Sequence, residues 1–258
     1  MEINSNHMLC TKRNYIEKIQ ELYLGENYYL RLEQSGLRED YYDSAVDPDG
    51  ITREHISERE IYLSNNIETV EFIKQTLRNS KVRNILDFGC GLGWLMSVLN
   101  SEYNVHGIES STKAQLYASQ FGPVFKTIES LPSVKFDCII INHVIEHLLD
   151  PVKVMQQLTK LLPSGGKLII GTPDFSSAMA IFFKDRYRML NEPTHISLFS
   201  FDSILRLVRD LGFVVNRVEF PFFNGPYFTK ENLEKIKNES QVSPPFHGNY
   251  ILIAATKK

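Results

Sequence analysis

No apolar run in this 258-residue chain approaches the roughly 20 residues a bilayer-spanning helix needs, and its first residues, with Glu2, Asn4, Asn6 and His7, lack the apolar core of a signal peptide. The expectation is a soluble, cytoplasmic protein without a membrane partner. Cysteine is scarce. Cys10, Cys90 and Cys138 stand far apart, with no C-x-x-C pair and no metal-ligand spacing, which excludes a disulfide framework and leaves reduced, partly buried thiols. Basic excess is also missing: 28 Lys and Arg against 31 Asp and Glu give a formal charge of -3, which argues against a nucleic-acid backbone as the main partner and for a small molecule. There is no internal repeat, no low-complexity segment and no Gly/Ser/Pro linker. The length suits one well-cored α/β domain with elaborations and is short for two.

What the chain does contain is organised around Ile85-Leu86-Asp87-Phe88-Gly89-Cys90-Gly91-Leu92-Gly93-Trp94-Leu95. An apolar run ending in an acid, then alternating glycines, then renewed apolar spacing predicts a buried strand, a tight turn and a helix start. The glycines permit positive φ and close approach to a ligand, and N–H groups at the helix start are expected to attract a carboxylate or phosphate. A dinucleotide fingerprint beginning at Gly89 needs glycine at position 94, where Trp94 stands, so a pyrophosphate would meet an indole. Asp87 suits an ammonium group instead.

Periodicity predicts an amphipathic helix over 12–24, an aromatic, irregular segment through Tyr41-Tyr42 to about residue 50, and a second helix over about 52–79. Residues 1–80 are therefore read as a helical or lid appendage, and 81–258 as the main domain. There, strand and helix patterns alternate, predicting a mostly parallel sheet with helices on both faces. Expected strands are Val82–Asp87, Val105–Glu109, Val124-Phe125, Phe136–Ile141, Lys167–Gly171, Phe213–Phe220 and Tyr250–Ala255. Residues 173–199 interrupt the series with aromatics and arginines and are expected to cap the substrate. Ligands of such sheets bind at the carboxyl ends of the strands, which selects Asp87 and Glu109; the latter lies twenty residues after Gly89, where a carboxylate can accept both hydroxyls of a ribose.

The glycine stretch, together with Phe136-Asp137-Cys138-Ile139-Ile140-Ile141-Asn142-His143-Val144-Ile145-Glu146-His147-Leu148-Leu149-Asp150-Pro151 and Leu162-Pro163-Ser164-Gly165-Gly166-Lys167-Leu168-Ile169-Ile170, resembles class I S-adenosylmethionine-dependent methyltransferases of the small-molecule type. The resemblance covers roughly residues 82–215. It implies a Rossmann-like seven-stranded sheet of order 3-2-1-4-5-7-6 with the last strand antiparallel. It also implies S-adenosylmethionine as cofactor, with Asp87, Gly89, Cys90, Gly91, Gly93, Glu109, Ser110, Ile128 and Asn142 as its binding residues. The family often places an acid before the Leu-Pro pair to hold adenine; here that position is Thr127, and Ile128 becomes the candidate to pack on the ring.

Methyl transfer from a sulfonium needs positioning and, where required, proton removal, but no metal. His195, His147 and Glu146 are the catalytic candidates, His195 lying in a segment that resembles the family's "H-hydrophobic-x-x-F-S" stretch. Arg186 and Arg188, cations beside aromatics, are candidates for an anionic acceptor, with Tyr41 and Tyr42 as possible covers. The expected activity is methylation of a small molecule at oxygen, and the resemblance suggests a phosphorylated or nucleotide-linked precursor of surface polysaccharide. Two rivals stand beside it: a non-catalytic protein binding the same cofactor, and a nicotinamide-dependent oxidoreductase, which Trp94 and Asp87 disfavour.

Overall fold

The alternating pattern folds as a seven-stranded sheet in the computed structural model, which describes residues 3–33, 45–46, 48, 50, 52–53, 57–221, 228–238, 240–245 and 250–258. In chain order the elements are β1 (His7–Cys10), α1 (Tyr15–Leu24), β2 (Tyr29–Leu32), β3 (Ala45–Val46), β4 (Thr52–Arg53), α2 (Arg59–Asn65), α3 (Ile67–Leu77), β5 (Asn84–Phe88), α4 (Trp94–Leu99), β6 (Asn104–Ile108), α5 (Thr112–Ala118), β7 (Val124–Phe125), β8 (Cys138–Asn142), α6 (Pro151–Leu161), β9 (Lys167–Pro173), α7 (Ala178–Phe183), β10 (Ser197–Leu198), α8 (Phe201–Asp210), β11 (Phe213–Glu219), α9 (Lys230–Ile236) and β12 (Tyr250–Lys257).

The central sheet runs β7-β6-β5-β8-β9-β12-β11, which is the order 3-2-1-4-5-7-6 when its seven strands are counted along the chain. Pairs from β7 to β9 are parallel, and β12 is antiparallel to both β9 and β11. Period-two alternation divides the buried strands between two helix layers. Leu86, Ile139, Ile141 and Ile170 pack with Met155 and Leu158 of α6 and Leu207 of α8. Ile85, Ile140 and Ile169 pack with Phe72 and Ile73 of α3 and Met96 of α4. Two of the covering helices have defined starts: Asp150 accepts from the Lys153 N–H at 3.0 Å ahead of Pro151, and Ser200 exchanges bonds with Ser203 in a capping box. Strand order reverses between β5 and β8, so the crevice at their carboxyl ends is the natural ligand position.

The first eighty residues contain more than the expected helices. β1 pairs parallel with β2, and β2 pairs antiparallel with β10 of the 173–199 segment. A four-residue strand shows too little of its period to be read locally, and its partner lies far along the chain. The helix expected over 52–79 is two helices. Asn66 divides them, its side-chain amide donating to the Tyr62 carbonyl at 2.9 Å alongside its own backbone N–H. Tyr41 and Tyr42 lie outside the described residues.

A third apolar cluster joins α1 to the 173–199 segment through Tyr15, Ile19 and Leu22 against Phe175, Met179 and Phe183. The fully buried Tyr15 hydroxyl donates to the Ala180 carbonyl at 2.7 Å. We propose from this packing that residues 1–80 are an appendage of the main domain and not an independent unit. Tyr15→Phe should then cost about 1 kcal/mol of global stability and leave a single urea transition. Unfolding followed by both far-ultraviolet circular dichroism and tryptophan fluorescence tests this, because an independent N-terminal unit would separate the two curves.

Candidate active site

At the carboxyl ends of β5, β6 and β8 lies a cavity of about 1150 Å³, large enough for a nucleoside-sized ligand and part of a second molecule. Its floor is the loop after β5. Gly89 has φ 76°, and a Cβ there would stand 2.3 Å from Val144 Cγ2, so glycine is required both by conformation and by space.

Four N–H groups of this loop, those of Gly89, Cys90, Gly91 and Gly93, are committed within the protein and so are not offered to an anionic ligand. Those of Gly89 and Cys90 donate to the Ile108 carbonyl at 2.8 and 2.9 Å, and that of Gly93 donates to the Cys90 carbonyl at 2.9 Å. The Gly91 N–H donates to Glu109 Oε2 at 2.9 Å. Glu109, 6 % exposed at the end of β6, also accepts the Ser111 N–H at 2.8 Å. A carboxylate of the protein thus occupies the place where a pyrophosphate would need donors.

Acceptors, by contrast, are in surplus. Asp87 Oδ2 and Asn142 Oδ1 are buried without a hydrogen-bond partner among the described residues. Burial first, and the neighbouring Glu109 charge second, push the Asp87 carboxyl up to about 7 from an ordinary 3.8. Asn142 is held at the end of β8 opposite Gly171, where any Cβ would lie 2.3 Å from its Oδ1. The Tyr62 hydroxyl of α2 is hydrogen-bonded to Asn142, and burial first, then the nearby Asp87 charge, push its pKa up.

Beyond β8 the chain turns sharply at His143, whose φ of 53° is rare for a side chain other than glycine and costs on the order of 1 kcal/mol. The turn places the fully buried Glu146 among three histidines. Glu146 Oε1 is 3.3 Å from His143 Nδ1 and 4.0 Å from His195 Nε2, while Oε2 accepts from the Thr172 hydroxyl at 3.1 Å. Burial opposes its charge, yet the His143 hydrogen bond and the surrounding imidazoles prevail and hold its carboxyl at about 2. His147 Nδ1 is 3.0 Å from the Thr194 carbonyl and His195 Nδ1 is 2.7 Å from the Met189 carbonyl. A carbonyl only accepts, so each Nδ1 carries the proton and each Nε2 a lone pair. Burial, then His147, lower the His195 pKa to about 3 against the pull of Glu146. An imidazole so weakly basic orients a hydroxyl better than it removes a proton.

Of the residues read from the sequence, Gly89, Cys90, Gly91, Glu109, Ser110, Ile128, Asn142, His147, His195 and Arg188 line the cavity. Asp87 lies beneath the loop and Glu146 behind the histidines, each buried. Gly93 acts from within the loop as the left-handed start of α4. Arg186 is not among the lining residues, whereas Arg188, two positions on, is 6 % exposed and reaches the wall. The alternation of side chains around the turns at Lys184–Arg186 and Arg188–Leu190 separates the two arginines. Tyr62 and Tyr250 line the cavity without having been singled out. Tyr62 sits on a helix with no buried residue, and Tyr250 opens an ordinary apolar strand, so neither carries a local signal.

Residues 59–218 match the family described as methyltransferase domain. A ubiquinone biosynthesis O-methyltransferase of Actinobacillus pleuropneumoniae is 28% identical over 58% of this chain and 69% of its own length. A tRNA U34 carboxymethyltransferase of Campylobacter concisus is 30% identical over 40% of each chain. Other curated relatives, from Streptomyces fradiae and Methanocaldococcus jannaschii, are uncharacterized, and the chain spans 30% and 63% of their lengths. Among solved structures, an S-adenosylmethionine-dependent methyltransferase of Thermotoga maritima, a possible histamine N-methyltransferase, superposes with TM-score 0.58 at 21% identity, covering 80% of this chain and 95% of that one. The plantazolicin methyltransferase BpumL gives 0.58 at 16% identity, over 94% and 99%. At these identities the structural likeness speaks for the fold.

The raised Asp87 carboxyl has a stability consequence. Between pH 3.8 and about 7 the folded chain holds a proton there that the unfolded chain has released, so stability falls as pH rises, by about 4 kcal/mol across the interval. Asp87→Asn removes this titration. In ligand-free protein the variant should gain on the wild type by up to about 4 kcal/mol between pH 4 and pH 8. Urea unfolding at the two pH values measures it, and a difference independent of pH would place Asp87 in the ordinary carboxylate range.

Proposed function

This chain belongs to the family of methyltransferase domains, and from that premise we propose that it methylates an oxygen of a small anionic acceptor, with S-adenosylmethionine as donor. The observation that carries the reading is the pairing of consumed loop donors with the orphaned acceptors Asp87 Oδ2 and Asn142 Oδ1. A cationic ligand bearing an ammonium group fits that lining, and a dinucleotide pyrophosphate does not.

When bound, S-adenosylmethionine supplies an electrophilic methyl group on a sulfonium. Asp87 and Asn142 would hold the ammonium end, Glu109 the ribose hydroxyls, and Ile128 the base. Arg188, buried in the cavity wall, would neutralise a phosphate or carboxylate of the acceptor. His195, its ring orientation fixed by the Met189 carbonyl, would position the acceptor hydroxyl. Glu146 acts on His143 and on the 189–196 segment, its backbone carbonyl accepting the Ile196 N–H at 2.9 Å. These roles suit a phosphorylated or nucleotide-linked sugar of the kind consumed in surface-polysaccharide assembly.

Calorimetry should show S-adenosylhomocysteine binding in preference to NAD. Tighter NAD binding would sink the methyl-donor assignment. Turnover is read as S-adenosylhomocysteine release over phosphorylated, nucleotide-linked and neutral acceptors. Arg188→Ala should raise KM for anionic acceptors roughly 10- to 100-fold, the equivalent of one charge-assisted contact, and His195→Ala should lower kcat with cofactor affinity retained. An unchanged KM in Arg188→Ala would refute the anionic acceptor, and cofactor binding with no turnover on any acceptor would favour a non-catalytic role.

A further inference from the structure

We propose that Glu146, His147 and His195 form a site for a first-row divalent transition ion, which binds two adjacent oxygens of the acceptor, as in a vicinal diol. The ion site stands on geometry alone, whereas its part in turnover rests on the methyl-transfer reading. One donor atom from each residue lies within 4.8 Å of those of the other two, and His195 Nε2 is 4.0 Å from Glu146 Oε1. Ion–ligand bonds of about 2.0–2.2 Å would draw these atoms together by roughly half an ångström each, which small rotations of the two rings supply.

The surroundings of the three side chains are those a metal site requires. Ligating imidazoles donate their second nitrogen to a carbonyl or carboxylate, fixing tautomer and ring orientation. His147 does so to Thr194 and His195 to Met189, leaving Nε2 as the basic nitrogen of each. The carboxylate is steadied in turn by His143 at Oε1 and Thr172 at Oε2. The buried carboxylate and the Nε2 atoms of the two rings converge on one point, where a divalent ion would be attracted by all three.

The donor set selects the class of ion. Two imidazoles and one carboxylate suit Mn²⁺ through Zn²⁺, whereas Mg²⁺ and Ca²⁺ prefer all-oxygen shells. Three protein ligands leave coordination positions for the acceptor, and both histidines line the cavity that also holds Glu109 and Asn142. An ion-bound hydroxyl becomes acidic enough to give its proton to water. Its oxygen then forms the new C–O bond as the C–S bond breaks, and that electron pair remains on sulfur. Activation by the ion removes the need for a strong protein base.

The test uses tag-free full-length protein stripped with a chelator and titrated with Co²⁺ alone. The expected result is one saturable equivalent with visible d–d absorption, displaced by Zn²⁺. His147→Ala and His195→Ala should each weaken Co²⁺ at least tenfold, with S-adenosylhomocysteine affinity unchanged as the control for folding. Glu146→Gln, which keeps the shape and removes the charge, should do the same and serves if either alanine variant fails that control. Stripped protein should lose turnover on diol-bearing acceptors and regain it with Co²⁺ or Mn²⁺. Absence of a saturable band in the wild type, Co²⁺ affinity that survives in folded variants, or full turnover by the stripped protein would each overturn the proposal. Co²⁺ binding without S-adenosylhomocysteine binding would support the ion site while sinking the methyl-donor reading.

Discussion

A carboxylate with no exposure to water, Glu146, is the constraint on which the active-site side of this protein depends. Burying an unpaired charge in a protein interior costs several kcal/mol, so the chain around it must supply compensation from separate elements. His143 approaches from the turn after β8, Thr172 from the end of β9, and His147 and His195 from the flanking loops. The left-handed backbone at His143 is intelligible as part of this arrangement, since it brings the imidazole back toward the carboxylate three residues on. The Glu146 backbone carbonyl also anchors Ile196, and so ties the 173–199 segment to the end of the sheet.

Two acids buried beside the cavity have opposite electrostatics. Glu146 is compensated and stays ionised, its pKa held at about 2, whereas Asp87 is uncompensated and lifted to about 7. A compensated acid organises structure. An uncompensated one leaves binding free energy available to a ligand that brings the missing donor or positive charge. Asn142 adds a second orphaned acceptor beside it, and in the glycine loop Ile108, Cys90 and Glu109 have taken the N–H groups of Gly89, Cys90, Gly91 and Gly93. The same backbone shape that serves a pyrophosphate in other crevices is here closed to one by its internal hydrogen bonds.

The 173–199 segment and the first thirty residues are best understood together. Neither has enough apolar surface of its own, but α1 and α7 share a core, and β2 and β10 share a ladder. Through that shared core the carbonyls of Met189 and Thr194, which set the tautomers of both cavity histidines, are held by residues far away in sequence. Mutations in α1 can therefore reach the site without touching it.

How much of this was legible follows from the range of each interaction. Continuous apolar runs such as Cys138-Ile139-Ile140-Ile141, the glycines at 89, 91 and 93, and the acids ending β5 and following β6 mark strands and turns by local rules. The strand order 3-2-1-4-5-7-6 came with the family resemblance those motifs carry. The short strands β1, β2 and β10 were not legible, because their pairing is decided by partners across the chain. Nor was the choice of Arg188 over Arg186, since one turn of backbone decides which of two similar side chains meets the cavity. Histidine at 143, 147 and 195 could be noticed, but the tautomers of His147 and His195 are set by the carbonyl each ring meets, and that is a distance in space. By itself the sequence determined the sheet, the crevice and the residue types lining it, because these rest on periodicity and on backbone conformations peculiar to glycine. Only the tertiary structure decided which charges are compensated and which groups are left wanting a ligand, because burial and pairing depend on contacts made between segments distant along the chain.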